Sequence, residues 1–173
     1  MERNRLLACV VLSVWIAVSV CMWFAASGSF STLKRVFEGS NPSFGVAVKP
    51  LSPEQTRVVL RYLTSEINRT YFRAYGWAQL VLGGLLFGLL LRRAPRSPTD
   101  LIIAGAMLAL AAVLTFYLTP EIVAVGRRID FLPRDPVPPE MSRFRALHAA
   151  FTGMDGAKLV AGLVLLGRWL LAR

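Results

Sequence analysis

The chain has 173 residues, is 55% hydrophobic with a mean hydropathy of +0.53, and carries a formal charge of +10. That is too apolar for a soluble domain of this size, and no low-complexity tract provides a disordered tail, so one compact membrane-embedded bundle is expected. Most Arg residues stand within a turn or two of a hydrophobic segment end. The charge is therefore assigned to anionic lipid headgroups and not to nucleic acid, for which neither an aromatic-basic motif nor a zinc-finger spacing is present.

Four apolar segments, about residues 6–27, 74–91, 101–119 and 149–171, reach or approach the roughly 20 helical residues needed to cross a hydrocarbon core about 30 Å thick. The expected fold is all-α: a single four-pass integral membrane bundle. Helical extensions over about 28–73 and a connector over about 120–148 should form a small extracytoplasmic headpiece.

In the first segment, Arg3 and Arg5 resemble the basic start of a signal peptide, but the apolar run that follows is longer than the usual 7–15 residues. It is read as a retained helix. Cys9 and Cys21 both fall within it, about 18 Å apart along the axis, too far to bridge each other, and are read as small packing residues. The helix should continue past Phe24 through Phe37, until Gly39, Asn41 and Pro42 stop it.

Ser52-Pro53-Glu54-Gln55 supplies an N-cap, a proline at the first helical position and a Gln able to close a capping box. A second helix should start there and run to about Leu91, a rod of about 58 Å. In its projecting half, Glu66, Arg69 and Arg73 share one face and read as mutually screening, solvated charges. Asn68-Arg69-Thr70 is a glycosylation sequon, read as chance because it lies inside a helix close to the membrane. Pro120 should kink the third helix. Pro133, Pro136, Pro138 and Pro139 make a stiff connector, and a fourth helix restarts near Glu140.

Seven positives (Arg3, Arg5, Arg92, Arg93, Arg96, Arg168 and Arg173) concentrate in the short tails and one turn, while twelve spread with seven acids over the two longer connections. Short loops and the first helix weigh most, so both termini and the Arg92 to Asp100 turn are expected in the cytoplasm. The preference for Arg over Lys, a coding bias, suggests a GC-rich bacterial source, and the expected location is the bacterial inner membrane.

Small residues recur every four positions: Ser13, Ala17, Cys21 and Ala25 in the first segment, Gly84 and Gly88 in the second, Gly105 and Ala109 in the third, Gly153, Ala157 and Ala161 in the fourth. Such stripes let helices approach closely in lipid. Contacts within the chain are expected ahead of a homo-oligomer.

Polar residues in the fourth segment carry the functional expectation. His148, Asp155 and Lys158 fall on one stripe, and ionisable groups at membrane depth should face the bundle interior and neutralise one another. Asn68, Tyr75 and Gln79, on one face of the second helix, are the expected hydrogen-bonding partners. Two readings follow. In the first, Asp155 and Lys158 form an ion pair that fixes helix rotation, with His148 bonded to a backbone carbonyl. In the second, the three line a hydrated path for a proton, an ion or a small amphiphile.

Phe144-x-x-Leu147-His148 at the entrance to the final helix, preceded by a third helix that ends in Thr119-Pro120-Glu121, resembles the transmembrane protein 205-like family, a domain of unknown function numbered 4149. The resemblance covers nearly the whole chain in segment order and length. It implies a four-pass membrane protein with no established enzymatic activity. The family's Pro-x-x-Phe element after the first helix is missing here, where the sequence reads Phe24 to Phe30 without proline.

No Ser-His-Asp set, metal-ligand cluster or phosphate-cradling loop is present, so an enzyme is not expected and no cofactor is assigned. A haem held by His148 with Met154, or by His148 of two subunits, is the least favoured reading. The expected function is an accessory or scaffold component; the alternative is a small transporter using Asp155, Lys158 and His148.

Overall fold

The computed structural model describes residues 2–39, 41–92 and 97–171, and all regular structure among them is helical. Arg93, Arg96 and Arg173, which entered the charge argument, lie outside the described residues.

Helix α1 (Glu2–Glu38) is 37 residues of uninterrupted helix because no proline falls within it. It stops at Gly39, where Asn41 begins a short helix α2 (Pro42–Val48) by accepting the Phe44 N–H at 3.1 Å. Helix α3 (Pro53–Leu91) opens on the expected capping box: Ser52 Oγ accepts the Gln55 N–H at 3.1 Å, and Gln55 Oε1 accepts the Ser52 N–H at 2.8 Å. Its 39 residues make it longer than any bilayer core is thick, so it must project.

Helix α4 (Pro98–Val113) is capped by Ser97, passes through a π turn at Leu114–Leu118 and continues as helix α5 (Thr119–Ile129). Pro120 has no N–H to offer the Phe116 carbonyl, and its ring crowds the preceding turn. The helix answers by widening: the Thr119 N–H reaches back five residues to the Leu114 carbonyl. The interruption expected at Pro120 thus takes the form of a π turn inside one rod. The first ten residues of the expected connector are helix, and the non-helical part is only 130–139. Helix α6 (Glu140–Leu171) follows.

Four rods are long and apolar enough to cross a membrane: α1, α3, α4 with α5, and α6. They run alternately up and down. Helix α1 packs on α3 and α6, and the α4–α5 rod packs on the same two, so α3 and α6 stand at opposite corners and run in the same direction. The end where α1 begins and α6 finishes is the terminal end; the other is the distal end.

Two apolar cores lie inside. The larger, toward the terminal end, is built on Leu12, Trp15, Leu86, Met107 and Leu165. The smaller, toward the distal end, holds Met22, Tyr75, Leu114, Leu118 and Phe151. Ser19, Gln79, Asp155 and Lys158, all buried, form a polar layer between them.

The packing glycines are not those the four-residue spacing indicated. Ser13, Ala17, Cys21, Ala25, Gly84, Ala109, Gly153 and Ala157 are exposed, while Gly88, Gly105 and Ala161 are half-buried. A Cβ built at Gly84, Gly88 or Gly153 meets nothing within 4 Å, whereas one at Gly83 falls 2.8 Å from both the Trp15 ring and Leu108. Gly76 is tight against Thr115 in the same way, its nearest atom at 2.9 Å. Of the expected packing glycines only Gly105, 3.5 Å from Phe87, touches a neighbour through such a Cβ, and Ala161 packs against the larger core. Successive helical positions are about 100° apart, so a spacing of four selects a stripe without saying which way it faces.

Candidate functional site

The centre of the bundle holds an ion pair closed off from solvent. Asp155 is 0% exposed and Lys158 1%. One turn apart on α6, they meet with Nζ 2.6 Å from Oδ1. The Tyr75 hydroxyl of α3 lies 2.9 Å from Asp155 Oδ1 and accepts from Lys158 Nζ at 3.0 Å. From α1, the Trp23 indole N–H donates to Asp155 Oδ2 at 2.7 Å. The ammonium also stands 5.0 Å from the Tyr75 ring centroid and 5.8 Å from that of Trp15. Three helices therefore converge on one carboxylate, whose lone pairs are largely used by an ammonium, a phenol and an indole.

His148 does not join this cluster. Its Nδ1 is 3.1 Å from the Phe144 carbonyl, and its ring packs on the Phe144 ring at 4.2 Å. A carbonyl can only accept, so Nδ1 carries the proton and Nε2 is the remaining polar atom. The stripe read from the sequence thus divides: Asp155 and Lys158 turn into the centre, while His148 faces a cavity nearer the distal end.

The three expected partners divide as well. Tyr75 joins the pair. Gln79, one turn further along α3 and 0% exposed, has no hydrogen-bond partner at either amide atom. Asn68 is 6% exposed; its Oδ1 lies 3.1 Å from Ser29 Oγ and its Nδ2 is unpartnered. Such burial leaves the Asn68 amide no room for a glycan.

A cavity of about 420 Å³ lies between α1, α3, α5 and α6 in the distal half. Met22, Phe72, Ile122, Phe144 and Phe151 form its apolar walls, and Asn68, Arg69, Tyr75 and His148 are polar groups on its lining.

Two further buried carboxylates tie the bundle ends, and neither was singled out by the sequence. At the terminal end, Asp100 Oδ2 accepts the Trp169 indole N–H at 2.8 Å and Oδ1 lies 3.4 Å from Arg168. The Arg5 guanidinium donates to the Trp169 carbonyl, which brings α1 into the same knot. At the distal end, Asp130 Oδ1 takes Arg69 at 2.8 Å, and the Asp130 carbonyl takes Arg61 at 3.0 Å. Arg69 also pairs with Glu66. The face read as solvated is therefore corrected: Arg73 is exposed, but Arg69 turns inward and clamps α3 to the end of α5. Asp130 stands 61 residues from Arg69, beyond the reach of any local spacing rule.

Among the described residues, no three His, Cys, Asp or Glu side chains come close enough to hold a metal ion. No family model, no curated protein and no solved structure matches the chain.

Proposed function

We propose that this membrane protein is an accessory or scaffold component without chemistry of its own, set in a bacterial inner membrane with both termini in the cytoplasm. The observation that carries this reading is the mutual saturation of Asp155, Lys158, Tyr75 and Trp23. A group that relays a proton or passes an ion has to exchange partners, and these side chains are held by one another from three helices, with Asp155, Lys158 and Tyr75 buried and Trp23 closing the cluster from a more exposed position. The small residues exposed on α1, α3 and α6 supply smooth outer faces on which a second membrane helix, from another copy or another protein, can pack. The likeness to the transmembrane protein 205-like family, carried by Pro120, Phe144, Leu147 and His148, supports the same reading.

A transport reading has one observation in its favour: the Gln79 amide, fully buried and unpartnered within the polar layer, is the type of group that lines a hydrated path. Reconstitution in liposomes under a pH gradient separates the two. The scaffold reading expects proton flux no greater than in protein-free vesicles, both for the starting chain and for Asp155→Asn, together with a lower unfolding temperature for the variant. Flux that disappears in a correctly folded Asp155→Asn protein would establish transport instead.

A further inference from the structure

We propose that the distal cavity binds a neutral, single-chain amphiphile whose head carries a hydroxyl or carbonyl group. Its volume of about 420 Å³ falls within the roughly 300–1,000 Å³ typical of small-molecule sites, enough for one chain-bearing ligand. Met22, Phe72, Ile122 and Phe151 give the wall an apolar surface suited to a hydrocarbon tail.

The head is selected by what remains unsatisfied. Asn68 is 6% exposed, lines the cavity and has an unpartnered Nδ2, a buried donor of the kind that folded proteins rarely leave unused. His148, also on the lining, has committed Nδ1 to the Phe144 carbonyl and retains Nε2 as an acceptor. A hydroxyl is both donor and acceptor, so it can serve both residues; a carbonyl serves Asn68 alone.

Charge decides against an ionic head. Arg69, the cation on the lining, is held by Asp130 and Glu66. The Asp155 carboxylate is covered by Tyr75, Trp23 and Lys158. An anion would have to break the first set and a cation the second. The position agrees with a ligand taken from the bilayer, since Asn68 and His148 stand at the distal edges of the apolar segments that begin near residues 74 and 149, the depth at which a lipid head rests.

The test uses the full chain in phosphatidylcholine nanodiscs with a diazirine-bearing dodecanol as photoprobe and mass-spectrometric mapping of the crosslinks. Saturable labelling centred on Met22, Phe72 and Phe151, competed by dodecanol but not by dodecyl phosphate, is the expected result. Asn68→Leu should weaken the apparent affinity by about fivefold, the value of one hydrogen bond. Ala26→Trp, which fills the cavity, should abolish labelling. Crosslinks spread over the outward-facing Trp77 and Phe116 and indifferent to dodecanol would overturn the proposal. So would equal competition by dodecyl phosphate, or unchanged labelling of Asn68→Leu. If a variant fails to fold, the competition pair on the unaltered chain still decides.

Discussion

Tyr75 and Asp155 meet across the bundle axis, hydroxyl to carboxylate at 2.9 Å, although their helices stand at opposite corners. Only a long side chain with its polar atom at the tip can make that reach. Trp23 completes the contact from the third side at 2.7 Å. The rotation of α6 is thereby fixed against both α1 and α3, which packing of interchangeable Leu and Val side chains would fix far less sharply. In lipid, where apolar surface gives helices little reason to prefer one another over acyl chains, such a contact supplies specificity.

The ion pair should behave as a unit. Removing one partner leaves a buried charge without its counter-ion, so Asp155→Leu or Lys158→Met alone should cost about 3–5 kcal/mol, the range found for broken buried pairs. The double variant Asp155→Leu with Lys158→Met removes both charges and should recover most of that loss. Reversible unfolding in mixed micelles measures all four species of the cycle. Additive losses would show that the two residues act separately.

Local chemistry made much of the fold legible. The Ser52 to Gln55 box fixes the start of α3 because its donors and acceptors are three residues apart, and the run from Pro53 to Leu91 contains no breaker. Asp155 and Lys158 stood out because lipid penalises ionisable groups, which leaves few explanations for a pair one turn apart. The remainder depends on long-range meetings. Trp23 and Asp155 are separated by 132 residues, and Trp169 and Asp100 by 69. An indole near a membrane boundary reads from sequence as an interfacial anchor, and nothing local reveals that its N–H is committed to a carboxylate on another helix. Arg69 departs from its local pattern for the same reason: its neighbours in sequence give it a partner in Glu66, but Asp130 draws it inward.

Adjacent glycines should respond oppositely to the same substitution. At Gly83, a methyl group would fall 2.8 Å from the Trp15 ring and from Leu108, and Trp15 is itself a buried member of the larger core. Gly83→Ala should therefore lower stability by about 1–3 kcal/mol through overpacking. At Gly84, the same methyl meets nothing within 4 Å. Gly84→Ala should be neutral or stabilising by up to about 1 kcal/mol, because alanine is the better helix former. Thermal unfolding of the two variants side by side checks both expectations, and reversal of their order would mean that the face of α3 is wrong.

Sidedness is open to thiol labelling. In a chain with Cys9→Ala and Cys21→Ala, a single cysteine at Arg92 probes the terminal end and one at Asn41 the distal end; both positions are exposed. With the termini in the cytoplasm, a membrane-impermeant maleimide added to intact cells should label the Asn41 site and leave the Arg92 site untouched until the membrane is opened. The reverse pattern would invert the topology and move the cavity to the cytoplasmic face.

Arg69 is the residue on which the distal end should depend most. One guanidinium reaches Asp130 at the end of α5 and Glu66 on its own helix, and a Cβ at Gly126 would lie 3.2 Å from it, so α5 packs directly against the clamp. Two carboxylates are engaged at once because the guanidinium presents several N–H groups in a rigid plane; an ammonium on a flexible stem does not reproduce that geometry. Arg69→Lys should consequently loosen the distal half while leaving the Asp155 centre intact, and Arg69→Met should do so more severely by stranding a buried Asp130. Hydrogen exchange read by mass spectrometry should show faster exchange over Thr119–Ile129 and the residues up to Glu140, with α1 and α4 unchanged. Uniform acceleration along all four rods would instead mean that the clamp supports the whole bundle.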